Sequence, residues 1–201
     1  MSLSRRTLML APAVLLPVAA VAQGADPRLG ERSAGPAQAP VTVHEFFSLT
    51  CSHCAAFARE TWPRVKQELV QKGKMRLVWH DFPLDQIALA AAQVARALPP
   101  ERYEGFIEAL LATQERWAFA RDADHIAEIA KVAALAGMNR EQVDAAVNDQ
   151  GLRRAILEER LKAEQQYKVN STPTFVFGSK VVPGELSFDR FSQLVQEASG
   201  T

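Results

Sequence analysis

The sequence predicts an α/β fold carrying an all-helical insertion, on three observations. A strand, a helix and a second strand follow one another between Val41 and Phe82. A stretch of helical periodicity without strand signals then runs from residue 83 to residue 151. Strand signals return at Thr174, and an amphipathic helix closes the chain. The order βαβ, helices, ββα describes a right-handed crossover unit completed by a hairpin and a last helix.

Each element has a local cause. Val41-Thr42-Val43-His44-Glu45-Phe46-Phe47 is a run of β-branched and aromatic residues, the composition of a buried strand. Phe57, Thr61, Trp62, Val65 and Leu69 recur at helical spacing, and Gly73 suits the helix end. Pro63 inside that pattern should kink the helix. Lys74 to Phe82 alternates as a second strand, parallel to the first across the crossover. Ile87 to Leu98 is Ala-rich, and Pro99-Pro100 ends it and starts a helix bearing Tyr103, Phe106, Ile107, Leu110 and Leu111. Asp124 caps His125 to Ala136, Gly137 closes that helix, and Asn139 with Gln142 forms a capping box ahead of Val143 and Val147. A helix over Leu152 to Tyr167 turns Ala155, Ile156 and Ala163 inward. Thr174 to Phe177, a Gly178-Ser179 turn and Val181-Val182 read as a hairpin, followed by a helix with Phe188, Phe191, Leu194 and Val195. The implied domains are one discontinuous unit, 39–82 with 152–201, and the insertion, 83–151. Residues 23–38, rich in Ala, Gly and Pro without apolar periodicity, read as a flexible tail.

The start of the chain reads as an export signal, residues 1–22. Arg5 and Arg6 precede a charge-free apolar stretch from Leu8 to Ala22 that ends in Ala20-Val21-Ala22. That stretch, broken by Pro12 and Pro17, falls short of the roughly 20 residues a membrane span needs. Ser4-Arg5-Arg6-Thr7-Leu8 also resembles a twin-arginine signal, so both export routes stay open. The full chain of 201 residues has 23 basic and 23 acidic residues, and removing 1–22 takes away two arginines, leaving a formal charge of −2. No basic run is present to bind nucleic acid or a membrane surface. An exported chain with 2 cysteines does not lean on a disulfide framework, which directs attention to chemistry at that pair.

Both cysteines lie in the stretch FFSLTCSHC, where the first strand ends and the helix begins. Four chemistries use such a pair: a structural disulfide, half a metal site, a nucleophile with a bystander, and a reversible dithiol. Unpaired N–H groups and the helix dipole favour negative charge at Cys51. A thiol that ordinarily titrates near 8.5 falls at such a position and beside a cation, which His53 can supply. A depressed Cys51 is a good leaving group, and Cys54, one turn further in, is the natural resolving thiol. A zinc site would need two further ligands at suitable spacing, and His44, His53, His80 and His125 are scattered. His44 and His80 read as packed or hydrogen-bonded, His125 as solvated, and Trp62, Trp79 and Trp117 as core or groove packing. Glu45 taken alone reads as a strand-edge or salt-bridged carboxylate, since burial in an apolar strand is costly without a partner.

FFSLTCSHC after a strand, the helical insertion and the late Thr172-Pro173 resemble the DsbA-type thiol–disulfide oxidoreductases of the thioredoxin superfamily, over about Ala39 to Ser199. The resemblance implies a thioredoxin-like fold with an inserted helical subdomain. It makes Cys51 the attacking cysteine and Cys54 its partner in a redox-active disulfide, with no cofactor beyond the pair. It makes Pro173 a cis-proline facing them, Thr172 a site of backbone pairing with an extended substrate, and Glu45 a buried acid that exchanges a proton with Cys54. Ser52 stands where the commonest oxidase motif has proline, and Thr172 matches the isomerase and reductase branches. Both positions tune potential and substrate release. The implied partners are folding exported proteins with free thiols and a DsbB-like membrane quinone reductase, in the periplasm. Residues 23–40 are too few for the dimerisation domain of the isomerases, so a monomer is expected. Two alternatives stand beside this oxidase: a reductase or isomerase of the same fold, and a binding protein whose CSHC holds copper or a client without turnover.

Overall fold

The computed structural model describes residues 26–200, and the expected export signal lies outside them. The β-branched run Val41–Phe47 forms a central strand, β2, flanked on one side by β3 (Met75–Asp81) and on the other by β4 (Thr174–Phe177). With β1 (Arg32–Ala34) and β5 (Lys180–Pro183) at the edges, the sheet order is β1-β3-β2-β4-β5. β2 and β3 are parallel, from Val41 opposite Met75 to Phe47 opposite Asp81, while the other pairings are antiparallel.

Alternation along β2 divides its residues between two faces. Val41, Val43 and Phe47 enter the main core with Phe57, Phe175 and Phe191. Phe46, with Val176, Ala163 and Val169, belongs to a second cluster on the opposite face. The helical run after the cysteines comprises α1 (Ser52–Ala56), a π turn (Phe57–Thr61), α2 (Trp62–Val65) and a second π turn (Lys66–Val70). Pro63 opens α2 without an N–H to give, so the expected kink takes the form of widened turns on either side.

The insertion contains α3 (Gln86–Ala97), α4 (Pro100–Ala112), the single turn α5 (Gln114–Trp117), α6 (His125–Leu135) and α7 (Arg140–Asn148). α8 (Gln150–Tyr167) leads back to the sheet, and α9 (Phe188–Ser199) closes the fold. The starts are fixed by side-chain caps at Asp85, Asp124, Asp149 and Ser187 and by the Asn139–Gln142 capping box. Ala91, Val94 and Ala95 of α3 share the main core with Val41 and Leu77 of the sheet, so one apolar interior serves insertion and sheet alike.

The expected tail is corrected over its described part. Arg28 binds Asp149 at 2.8 Å, and Arg32–Ala34 pairs antiparallel with β3. This strand carries no apolar signal because it is held by backbone bonds and by guanidinium groups. Arg32 Nη1 donates to Gly30 O at 2.9 Å and its Nη2 to Arg28 O at 3.2 Å. Beside it, Arg96 of α3 is ion-paired with Asp81 of β3 and donates to Gly30 O at 3.0 Å. The Tyr103 hydroxyl of α4 donates to the other Asp81 oxygen at 3.0 Å, and burial holds that phenol well above its ordinary pKa. This buried cluster stitches β1, β3, α3 and α4 into one unit.

Candidate active site

Cys51 is the residue before the helix, in an extended conformation, so its sulfur faces the first backbone N–H groups of α1. Its own N–H donates to Ser48 O at 3.1 Å, closing a turn between β2 and the helix. Gln114, buried in α5, donates its amide to Leu49 O at 2.7 Å and Cys51 O at 3.0 Å. The insertion thereby fixes the backbone that presents the thiol. No sequence signal marks Gln114, because an amide reaching two carbonyls from a distant turn leaves no local pattern.

Both cysteines are free thiols, and they differ in access: Cys51 is 8 % exposed and Cys54 0 %. The Cys51 thiol donates to the Thr172 carbonyl at 3.2 Å. Hydrogen bonding by the Cys54 thiol lowers the Cys51 pKa, opposed by burial and aided by the Thr172 hydroxyl and the N–H groups of Cys54 and His53, bringing it to about 5. Among the described residues the buried Thr172 hydroxyl has no other hydrogen-bond partner, and it is placed to donate to the Cys51 thiolate. Cys54 is pushed well above its ordinary value, first by burial and then by the bond it gives to Cys51. The pair thus holds one proton where it could hold two, on the inner sulfur.

Glu45 lies beneath them, 5 % exposed. Burial pushes its carboxyl up to about 8, the Trp79 side chain opposes this by hydrogen bonding, and the Cys51 charge adds to it. Among the described residues Glu45 has no salt-bridge partner; at pH 7 it is mostly a neutral acid, and only once ionised does its charge raise the proton affinity of Cys54 further. A cavity of about 10 Å³ bordered by Glu45, Trp62, Trp79 and Glu108 has room for roughly one water. A bond from Trp79 to Glu45 leaves no local pattern, and from the sequence alone the ring is packing.

Thr172-Pro173 is a cis peptide, both residues are buried, and the Thr172 carbonyl lies 3.2 Å from Cys51 Sγ. The Pro173 carbonyl accepts from Gly184 N at 2.7 Å, which ties this loop to the segment after β5. Ser52 is exposed at the first turn of α1. His53 differs from expectation. Its imidazole is 72 % exposed and lies 3.4 Å from Glu185, so its backbone N–H, rather than its ring, assists Cys51. His44 and His80 are hydrogen-bonded to each other at 2.9 Å on the opposite face of the sheet. His125 is half-buried rather than solvated, its Nδ1 2.7 Å from the Trp117 carbonyl, because that carbonyl needs a partner at the end of α5.

A dithiol with one acidic and one proton-retaining sulfur, at a helix start and opposite a cis-proline, defines a thioredoxin-fold redox protein. The chain belongs to the thioredoxin family, whose sequence model, described as Thioredoxin, matches residues 28–197. A relative in Rickettsia felis with the provisional name protein-disulfide oxidoreductase is 26% identical over 159 residues, 79% of this chain and 56% of the relative. The chain thus spans just over half the length of the curated relatives it matches. Among solved structures, alpha-DsbA1 of Wolbachia pipientis superposes with a TM-score of 0.78 at 23% identity, covering 86% of this chain and 92% of that one. A protein-disulfide isomerase of Novosphingobium aromaticivorans superposes with a TM-score of 0.74 at 23% identity, covering 86% and 98%. These likenesses define the fold as thioredoxin-like with the helical insertion of DsbA proteins.

Proposed function

We propose that the protein is an exported thiol–disulfide oxidoreductase that donates a Cys51–Cys54 disulfide to folding periplasmic proteins. The observation that carries this reading is the opposed proton affinity of the two sulfurs, Cys51 near 5 and Cys54 well above its ordinary value. A client thiolate attacks Cys51 Sγ, the disulfide breaks, and Cys54 leaves with the electron pair. Cys54 takes a proton, for which protonated Glu45 is the nearby source. A second client thiolate then attacks the client sulfur of the mixed disulfide, and Cys51 leaves as a stabilised thiolate. The client loses two electrons and the protein gains them. Reoxidation by a DsbB-like membrane quinone reductase completes the cycle, and the expected state is a monomer.

The test has two parts. Oxidised protein is mixed with a reduced two-cysteine peptide to follow exchange, and the single-cysteine variants are mixed with the same peptide in its disulfide form, so that attack by the remaining thiolate leaves a mixed disulfide. Cys54→Ala should accumulate adducts through Cys51, whereas Cys51→Ala should abolish exchange and trap nothing. Equal trapping by both rejects the assignment. Thermal melts then give direction, because a donor must be more stable reduced than oxidised. About 30 mV corresponds to 1.4 kcal/mol for this couple, so a strong donor shows a gap of several kcal/mol. A higher melting point for the oxidised form makes the protein a reductase.

A further inference from the structure

We propose that Glu185 is a positioning residue that holds the His53 imidazole away from Cys51 and so limits how far the thiolate is stabilised. The inference deepens the proposed function, since it rests on Cys51 being the reactive thiolate. Glu185 follows β5 in a segment pinned on both sides of it. The Gly184 N–H donates to the Pro173 carbonyl at 2.7 Å, and the Thr61 hydroxyl donates to the Leu186 carbonyl at 2.9 Å. The carboxylate is thereby fixed between the cis-proline loop and the helix that carries the thiols, and its Oε2 is 3.4 Å from His53 Nδ1.

The neighbouring charges are otherwise engaged. Glu60, on the same open groove of about 630 Å³, is bound to Arg59 at 2.6 Å, and Asp189 of α9 faces Arg64 at 3.8 Å. Beneath Cys51 the titratable groups are Cys54 and Glu45. The imidazole, two residues from a thiolate it could pair with, is directed to Glu185 instead. The consequence is a dithiol whose acidity comes from Cys54, Thr172 and backbone N–H groups, with the histidine held in reserve.

A double-mutant cycle on the full protein decides this, read by ultraviolet thiolate absorbance against pH at low ionic strength. Glu185→Gln leaves the two pinning bonds intact, since both use backbone atoms of its neighbours. It should raise the Cys51 acid constant about three- to fivefold, the scale of an exposed ion pair released. The equilibrium with glutathione should move by the same factor toward the reduced protein. In a His53→Leu background the same substitution should change neither quantity, and Glu185→Ala should behave as Glu185→Gln. Equal shifts in both backgrounds would assign the effect to the Glu185 charge acting directly, and the proposal fails. An unchanged or reduced acid constant in the His53 background also overturns it. Neither readout requires a client, so failure of the exchange reaction leaves the cycle interpretable.

Discussion

Neighbouring residues on β2 put a titratable group on each face of the sheet, and the two faces treat them in opposite ways. Glu45 points to the thiol face, where burial keeps its proton on up to about 8. His44 points to the α8 face, where burial keeps a proton off, and its partner His80 is held down to about 4. Both faces therefore present neutral groups at pH 7, because a low-dielectric interior penalises charge of either sign. What separates them is the neighbour. Glu45 sits beneath a sulfur that gains and loses a proton, whereas the histidines face each other, Phe46 and Tyr167. Burial alone makes a group neutral; a reacting neighbour gives that neutrality a use.

The largest expected effect lies on the thiol face. The folded pKa of Glu45 is raised from 4.5, so its contribution to stability is complete below pH 4.5 and is lost as pH rises through about 8. Glu45→Gln should therefore stabilise the reduced protein on the order of 3 kcal/mol at pH 7 and by little at pH 4, measured by denaturant unfolding. A gain of equal size at both pH values would mean that titration is not its cause, and the contrast between the faces would lose one side. The same variant should slow formation of the mixed disulfide if Glu45 supplies the Cys54 proton.

The opposite face should respond to acid with the opposite sign. His80 has a folded pKa lowered from 6.5, so its stabilising neutrality is lost as pH falls from 6.5 through about 4. Between pH 7 and pH 5 this group should cost about 2 kcal/mol, and His80→Gln should remove most of that dependence. Unfolding curves at the two pH values provide the check. A variant as acid-sensitive as the parent would place the sensitivity elsewhere. Smallest is Thr172→Val, which deletes the hydroxyl that waits for the thiolate. A hydrogen bond to a charged group is worth about 1.5 kcal/mol or more, so the Cys51 acid constant should fall roughly tenfold. An unchanged thiolate titration would show that the hydroxyl is no partner of the sulfur.

Elements with apolar periodicity and side-chain caps were legible in the sequence. The β2 strand, the Asp124 cap and the Asn139–Gln142 box fall where the pattern puts them, because burial and capping act on residues close in sequence. The cysteines were legible for the same reason, standing at one strand-to-helix junction. β1 escaped because its order comes from backbone pairing and from arginines bound to carbonyls, which look like a polar tail in one dimension. The direction of His53 escaped because Glu185 is distant along the chain and meets it only through the pinned segment. Gln114 and the donor role of Trp79 are likewise products of packing.

The amide of Gln114 has a consequence for how such a chain can be recombined. An insertion between two strands looks like an interchangeable part, one that a gene fusion could swap for the corresponding piece of a relative. Here the piece carries the side chain that holds Leu49 and Cys51 by their carbonyls, and α3 carries the arginine that anchors β3 to the start of the fold. A chimaera that kept every residue from Val41 to Asp81 but borrowed its helices would inherit the thiols without the brace behind them. The module boundary drawn by secondary structure is not the boundary across which this protein can be cut and rejoined.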